Sequence, residues 1–388
     1  MVVIVGAGPV GLMVALELTR RGTKPVVLET LATPNRLPKA NGIVGRAVPM
    51  LHERGLYEPL TGKKQPRPAP RFMYGGFPLD LRRLADNPVH LLPVPQRRLE
   101  AVLAQHAEAA GVEIRHAHTV NGITQTPDTV TVDVEGPTGP YTMRATHLVG
   151  ADGAHSSVRK AVGITFDGTS ADDVVTRSGH LVLPPRDLTR VTGRLRGPGG
   201  PYRPYLFHCT PKGVFSFARF SGAGPHLVTT LEWGQEVDDT VPMTVGELRD
   251  SLTRVLGRPV LAAAPPPAEG PHVLRRGTSR QNRIASTYRA GRILLAGDAA
   301  HVVAGFGGPL LNLGLLDAID LAARITTDDV DGYDQARRPH ADNVLAAAKE
   351  QEALLRPGQE TDQRRKEFAA YLATETGLRR VANTIAGG

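Results

Sequence analysis

The first thirty residues constrain the fold more than any other part of the chain. Val2–Val5 is an unbroken β-branched run, which reads as a strand buried on both faces. Gly6, Gly8 and Gly11 follow with GxGxxG spacing, then Val10, Val14 and Leu18 at helical intervals. Gly22 stops that helix after Arg20 and Arg21. A second apolar run, Pro25–Leu28, ends at Glu29, 23 residues after Gly6. Gly6 permits the tight strand-to-helix turn, Gly8 lets the backbone approach a diphosphate, and Gly11 lets helix and strand pack closely. The free N–H groups of the helix start point at the phosphates, and Glu29 is placed to accept hydrogen bonds from a ribose. Pro9 and Val10, inside the same turn, complete the expected contact set. NAD and FAD share this pattern, so it alone predicts a dinucleotide and not which one.

The uncharged stretch 1–16 could be mistaken for a secretion signal, but no basic segment precedes it and its glycines are spaced for a turn. Gly and Pro together number 74 of 388 residues, below the roughly 25–30% of low-complexity chains, so the chain is globular and long enough for a large core. One cysteine, Cys209, excludes an internal disulfide framework and a cysteine metal cluster, and reads as a small buried hydrophobe. The net charge of +8 comes from 38 Arg and 8 Lys that are scattered singly or in pairs. Without a basic stripe interleaved with aromatics, nucleic acid is not an expected partner. No HExxH, nucleophile elbow or Walker loop is present.

Two later motifs narrow the choice. Leu148–Gly153 is an apolar strand end running into Asp152-Gly153. Ile293–Ala296 is another, running into Gly297-Asp298 and His301, followed by Gly305–Gly308 and an apolar helix over 312–325. Taken singly, Asp152-Gly153 reads as a turn, Asp298 as a helix cap, Gln96 as a surface helix residue and His301 as a core histidine. In this order and spacing, the three motifs resemble those of the FAD-dependent aromatic and polyketide hydroxylases, the group A flavoprotein monooxygenases.

That resemblance implies roles for individual positions. Gly6, Gly8, Pro9, Val10, Gly11 and Glu29 match the ADP-binding fingerprint. Lys39 stands where the family usually has an arginine near the flavin. Gln96 matches a glutamine that opens a helix beside the ribityl chain and phosphates. Asp152 belongs to the DG motif, and Asp298 matches the acid that hydrogen-bonds the ribityl chain. Gly307, Gly308, Leu311 and Asn312 lie where a helix start faces the flavin pyrimidine ring. No side chain, His301 and Arg283 included, is assigned a catalytic role, and no metal site is expected.

The implied protein is a cytoplasmic FAD enzyme, monomer or homodimer, with no membrane contact. It would hydroxylate a polyketide or other aromatic or polyene natural-product intermediate with O₂ and transient NAD(P)H. One stretch departs from the family. Where polyketide hydroxylases read His-x-x-Pro-Pro-x-Gly-Gly-Gln-Gly-x-Asn, this chain replaces both prolines and carries Pro309 and Leu310 for Gln and Gly. Pro309 offers no N–H and Leu310 adds bulk where oxygen chemistry takes place. An alternative therefore stands beside hydroxylation: a non-redox role, such as a cyclase that keeps FAD.

The expected fold is α/β: a Rossmann-like FAD-binding domain with a mostly parallel sheet, built from 1–61, 96–171 and 275–330. An α+β substrate domain with an antiparallel sheet takes 62–95 and 172–274. A helical tail, 331–388, follows in place of the family's thioredoxin-like third domain.

Overall fold

A computed structural model describes residues 1–35, 39–220, 224–278, 280–303 and 309–387. Its largest sheet has six strands, in spatial order Arg289–Ala290, Ile293–Leu295, His147–Gly150, Val2–Val5, Pro25–Glu29 and Glu113–His116. All neighbours run parallel except the first pair. Val2–Val5 lies near the middle and is buried along its whole length, as its β-branched composition requires. The helices Pro9–Arg20, Gln96–Ala109 and Pro309–Thr327 pack around it, the first touching both others. The excursion after Glu113–His116 is a three-stranded antiparallel sheet in which Val130, Val132 and Val134 point into the core.

A five-stranded antiparallel sheet runs in the order Phe207–Thr210, Gly213–Ala218, His226–Trp233, Val174–Leu181, Leu274–Gly277. The helix Val245–Leu256 covers one face, with Leu248, Leu252 and Val255 against Phe215, Phe217 and Val228. Thr244 caps it by accepting the Glu247 amide at 3.1 Å, and Gly257 ends it at φ +79°. The strand Val174–Leu181 has a polar middle, which the sheet tolerates because Arg177 is 3% exposed and pairs with Glu232 at 2.8 Å.

The segment 62–95 does not join this sheet as expected. It forms its own hairpin, Arg71–Tyr74 with Phe77–Asp80. Tyr74, Leu79 and Leu81 there share a core with Leu354, Leu372, Leu378 and Val381 from the tail. The apolar face of the hairpin is matched by the tail helices Tyr333–Leu355, Gln359–Ala373 and Glu375–Ala386, so burial draws it to them. Cys209 is half-buried and unbridged, with its thiol pushed up by burial.

Candidate cofactor site

Three sequence motifs lie at the carboxyl ends of adjacent parallel strands, the position where open α/β sheets bind ligands. Gly6 follows Val5, Ala151 follows Gly150, and Ala296 follows Leu295; the Ala151 amide donates to the Val5 carbonyl at 2.9 Å, and the Ala296 amide to that of Gly150 at 3.0 Å. Gly6 adopts φ +104°, and a Cβ there would lie 2.5 Å from the Ala151 carbonyl oxygen. A Cβ on Gly11 would lie 2.0 Å from the Gly6 carbonyl oxygen. Those two glycines are demanded by the protein's own packing. Gly8 differs: a Cβ there meets no described atom within 4 Å. Its smallness serves something other than this chain.

The helix Pro9–Arg20 has neither a side-chain N-cap nor an acid in its first turn. The helices beginning at Ala47 and Gln96 share this, whereas those beginning at Ser157, Val245 and Glu375 are capped by Ser156, Thr244 and Thr374. What sets the helix at Pro9 apart is that its free N–H groups and the positive end of its dipole lie at the open glycine turn, a site for an anion such as a diphosphate. Pro9 has no N–H to offer. The Val10 side chain is wedged between two glycines, with Cγ2 at 2.8 Å from a Cβ on Gly297 and 2.7 Å from one on Gly314, so its backbone amide is its available polar group.

Glu29 Oε2 accepts the Ala7 amide at 2.8 Å and Oε1 accepts that of Leu31 at 2.9 Å. Each oxygen keeps a lone pair for a further donor, as a ribose hydroxyl would be. Gln96 is brought to the same region by its amide, which donates to the Ala40 carbonyl at 2.9 Å. Its side chain donates to Glu100 Oε1 at 2.8 Å. Burial raises the Glu100 carboxyl, Lys39 lowers it in opposition, and Glu29 adds to the rise. Lys39 also opposes the rise at Asp298, so one cation lies within range of two acids from segments far apart in the chain. Glu100 carries no motif signal, and only its position one turn after Gln96 could have suggested it.

Asp298 sits on the short turn Gly297–Ala299. The side chain is exposed yet crowded by surrounding protein, and that desolvation raises its carboxyl, with His301 and Lys39 pulling the other way. This is the signature of an acid lining a cleft. Asp152 Oδ2 accepts the amides of Ser157 and Val158 at 2.7 and 3.1 Å, so that oxygen of the DG acid holds the following helix. Its Oδ1 is buried without a partner among the described residues. Arg159 donates to the Ala299 carbonyl at 2.9 Å and so ties the DG segment to the turn holding Asp298.

Asn312 is buried in the helix Pro309–Thr327, and its Oδ1 accepts the Val44 amide at 2.8 Å. Leu311 is partly buried against the main core. Gly307 and Gly308 lie outside the described residues. Behind the turn, His301 Nε2 meets Asp317 Oδ2 at 2.6 Å with both side chains fully buried, and Arg337 Nε donates to Asp317 Oδ1 at 2.8 Å. Burial raises the Asp317 carboxyl, but His301 and Arg337 outweigh it and hold the group below its ordinary value.

These features suit an FAD: an open glycine cradle, an uncapped helix start, a carboxylate beside the turn with lone pairs to spare and a second carboxylate crowded by the protein at a neighbouring strand end. The profile of the family described as FAD binding domain matches residues 1–348. The chain belongs to that family, among the FAD-dependent aromatic and polyketide hydroxylases, and is an FAD-binding protein. The 12-dehydrotetracycline 5-monooxygenase/anhydrotetracycline 6-monooxygenase of Streptomyces rimosus is 36% identical over 378 residues, covering 92% of this chain and 70% of the relative. The dialkyldecalin synthase of Streptomyces rugosporus is 30% identical over 375 residues, covering 92% and 73%. The structure of the OxyS anhydrotetracycline hydroxylase from Streptomyces rimosus matches with a TM-score of 0.83 at 31% identity, over 99% of this chain and 75% of that one. No described helix is long and apolar enough to cross a membrane.

Proposed function

We propose that the protein is an FAD-dependent monooxygenase that hydroxylates an aromatic or polyketide natural-product intermediate, using NAD(P)H and O₂ in the cytoplasm. The observation that carries this is the convergence of the open Gly8 cradle, Glu29 and Asp298 on one sheet edge, in a chain 36% identical to a tetracycline-pathway monooxygenase. The bound cofactor supplies the redox chemistry between NAD(P)H and O₂, and the chain supplies its surroundings. The helix start at Pro9 would hold the diphosphate. Glu29 would accept ribose hydroxyls, and Asp298 a ribityl hydroxyl. Asp152, Gln96 and Lys39 would line the same crevice, with Leu311 and Asn312 at its flavin end.

The substrate would lie against the five-stranded sheet. On the face turned away from the helix Val245–Leu256, register places Phe207, Ser216, Thr229, Ser178 and Arg275 in one transverse row. Ser178 and Thr229 hydroxyls are 2.9 Å apart. An aromatic edge with adjacent hydroxyls suits a flat substrate bearing phenol and carbonyl oxygens. The test is to load the purified protein with FAD and follow NADPH oxidation and O₂ uptake with anhydrotetracycline and related polycyclic phenols. Substrate-stimulated oxidation with a product heavier by one oxygen is expected; no nicotinamide oxidation with any substrate would overturn the reading.

One observation favours a second reading. The chain is also 30% identical to a dialkyldecalin synthase, and it departs from the hydroxylase pattern at 303–311. Conversion of a polyene substrate to a ring product of unchanged mass, with FAD bound and no nicotinamide consumed, would establish a cyclase instead.

A further inference from the structure

A cavity of about 80 Å³ lies away from the glycine turn and shares Asn312 in its lining with the flavin end of the proposed crevice. Its walls are the helix Pro309–Thr327, the tail helix Tyr333–Leu355, the hairpin strand Arg71–Tyr74 and the last turn of the helix Glu375–Ala386. In the long helix, Gly314 packs on Val10 and Gly297 toward the cofactor crevice. Leu313 and Leu316 line the cavity from the other side of that helix, at the angles that about 100° per residue dictates.

The lining combines two properties. Leu313, Leu316 and Val344 form an apolar wall, whereas Arg46, Arg337 and His340 bring basic groups, and no acid lines it among the described residues. Arg337 is 8% exposed. Its Nε is engaged by Asp317, but Nη2 is buried with no acceptor among the described residues. A buried guanidinium N–H without an acceptor is an uncompensated desolvation, and a native protein ordinarily satisfies such a group. Asp317 is itself shared between His301 and Arg337, and it contacts Arg337 through Nε, leaving Nη2 without an acceptor among the described residues.

We propose that this cavity is a binding site for a compact amphipathic carboxylate, whose apolar body rests on Leu313, Leu316 and Val344 and whose carboxylate is held by Arg337 and Arg46. A planar carboxylate matches the guanidinium fork. A free phosphate would gain nothing from the apolar wall. The volume of about 80 Å³ admits a short branched chain and not an aromatic ring, since a cavity of roughly 150 Å³ is what takes up one benzene. The site therefore differs in ligand from the sheet face assigned to the substrate, and it does not depend on whether the flavin turns over.

The probe is isobutyrate, titrated calorimetrically into the FAD-loaded protein, with isobutanol as the uncharged control. Saturable binding of isobutyrate and none of isobutanol is expected. Arg46→Gln should weaken isobutyrate about tenfold, the loss of one charge-assisted contact. Leu316→Trp should abolish binding by filling the cavity. Arg337→Lys keeps a cation beside Asp317 while removing Nη2, and should also weaken binding; if it fails to fold, the other two variants decide. A crystal soaked with 2-bromopropionate should place bromine beside Leu313 and Leu316. No saturable heat, equal binding of isobutanol, affinity unchanged in both Arg46→Gln and Leu316→Trp, or bromine at the five-stranded sheet would overturn the proposal. FAD loading and NADPH oxidation, measured on the same samples, report separately on the flavin reading.

Discussion

His301 Nε2 and Asp317 Oδ2 stand 2.6 Å apart with no solvent contact at either side chain, joining the turn that carries Asp298 to the long helix behind it. Arg337 closes the group on the other carboxylate oxygen. Removing one member of a buried ionic cluster leaves charge uncompensated, so Asp317→Asn should cost about 3–5 kcal/mol of stability in denaturant unfolding. Because the folded Asp317 titrates below its ordinary value of 3.8, its contribution is complete above that value and is lost as pH falls through the lowered one. The variant should therefore lose the part of the wild-type acid transition that lies below about pH 4. An unchanged unfolding midpoint would show that the cluster contributes nothing.

Gly8 and Gly11 separate ligand contact from packing. Gly8 has φ −69°, a value any residue adopts, and open space where a Cβ would sit. Gly8→Ala should leave the melting temperature of FAD-free protein within a degree or two while weakening FAD, since the new methyl group occupies the cradle. Gly11→Ala drives a methyl group onto the Gly6 carbonyl and should lower the melting temperature or prevent soluble expression. Equal effects of both variants on FAD-free protein would count against the cradle.

Glu29 accepts two backbone amides at the mouth of the glycine turn, so its removal both frees those amides and deletes the ribose-side acceptor. With charged hydrogen bonds at about 1.5–3 kcal/mol each, Glu29→Ala should reduce FAD affinity at least tenfold in a fluorescence titration. Unchanged occupancy after gel filtration would refute the assignment.

Asp298 behaves oppositely in the two states of the protein. Its carboxyl is raised by crowding, so the folded FAD-free protein holds that proton more tightly than the unfolded chain does. Stability then declines as pH rises through the interval from the ordinary value of 3.8 to the raised one, and ionised Asp298 is a burden at neutral pH. Asp298→Asn should melt no lower than wild type without FAD, yet bind FAD more weakly. A variant that loses stability and keeps FAD would reverse the assignment from site to scaffold.

Much of this was legible in the chain itself because local rules govern it. The run Val2–Val5, the three glycines and the terminal Glu29 lie within one continuous βαβ unit, and Gly11 answers a backbone demand only five residues away, at Gly6. What stayed hidden depended on distant partners. The strand Val174–Leu181 looked too polar because Arg177 meets its counter-ion Glu232 55 positions later. The hairpin 71–80 was expected in the five-stranded sheet, but the hydrophobic surface that claims it belongs to residues near 354–382. Glu100, Arg159 and Asp317 belong to no short motif, and their importance lies in what stands opposite them.

The sequence alone therefore determined the nucleotide-binding class of this protein and the order of its motifs, because those features are encoded by short-range spacing along the chain. Only the tertiary structure decided that Gly8 is open while Gly6 and Gly11 are packed, that Arg159 and Asp317 brace the Asp298 turn, and that the tail encloses a basic, apolar cavity. Those properties arise from pairwise distances between residues as close in the chain as Gly6 and Gly11 or as far apart as Gly6 and Ala151 and, at the cavity, between the hairpin and the tail, and burial and charge compensation act on such distances and not on position in the chain.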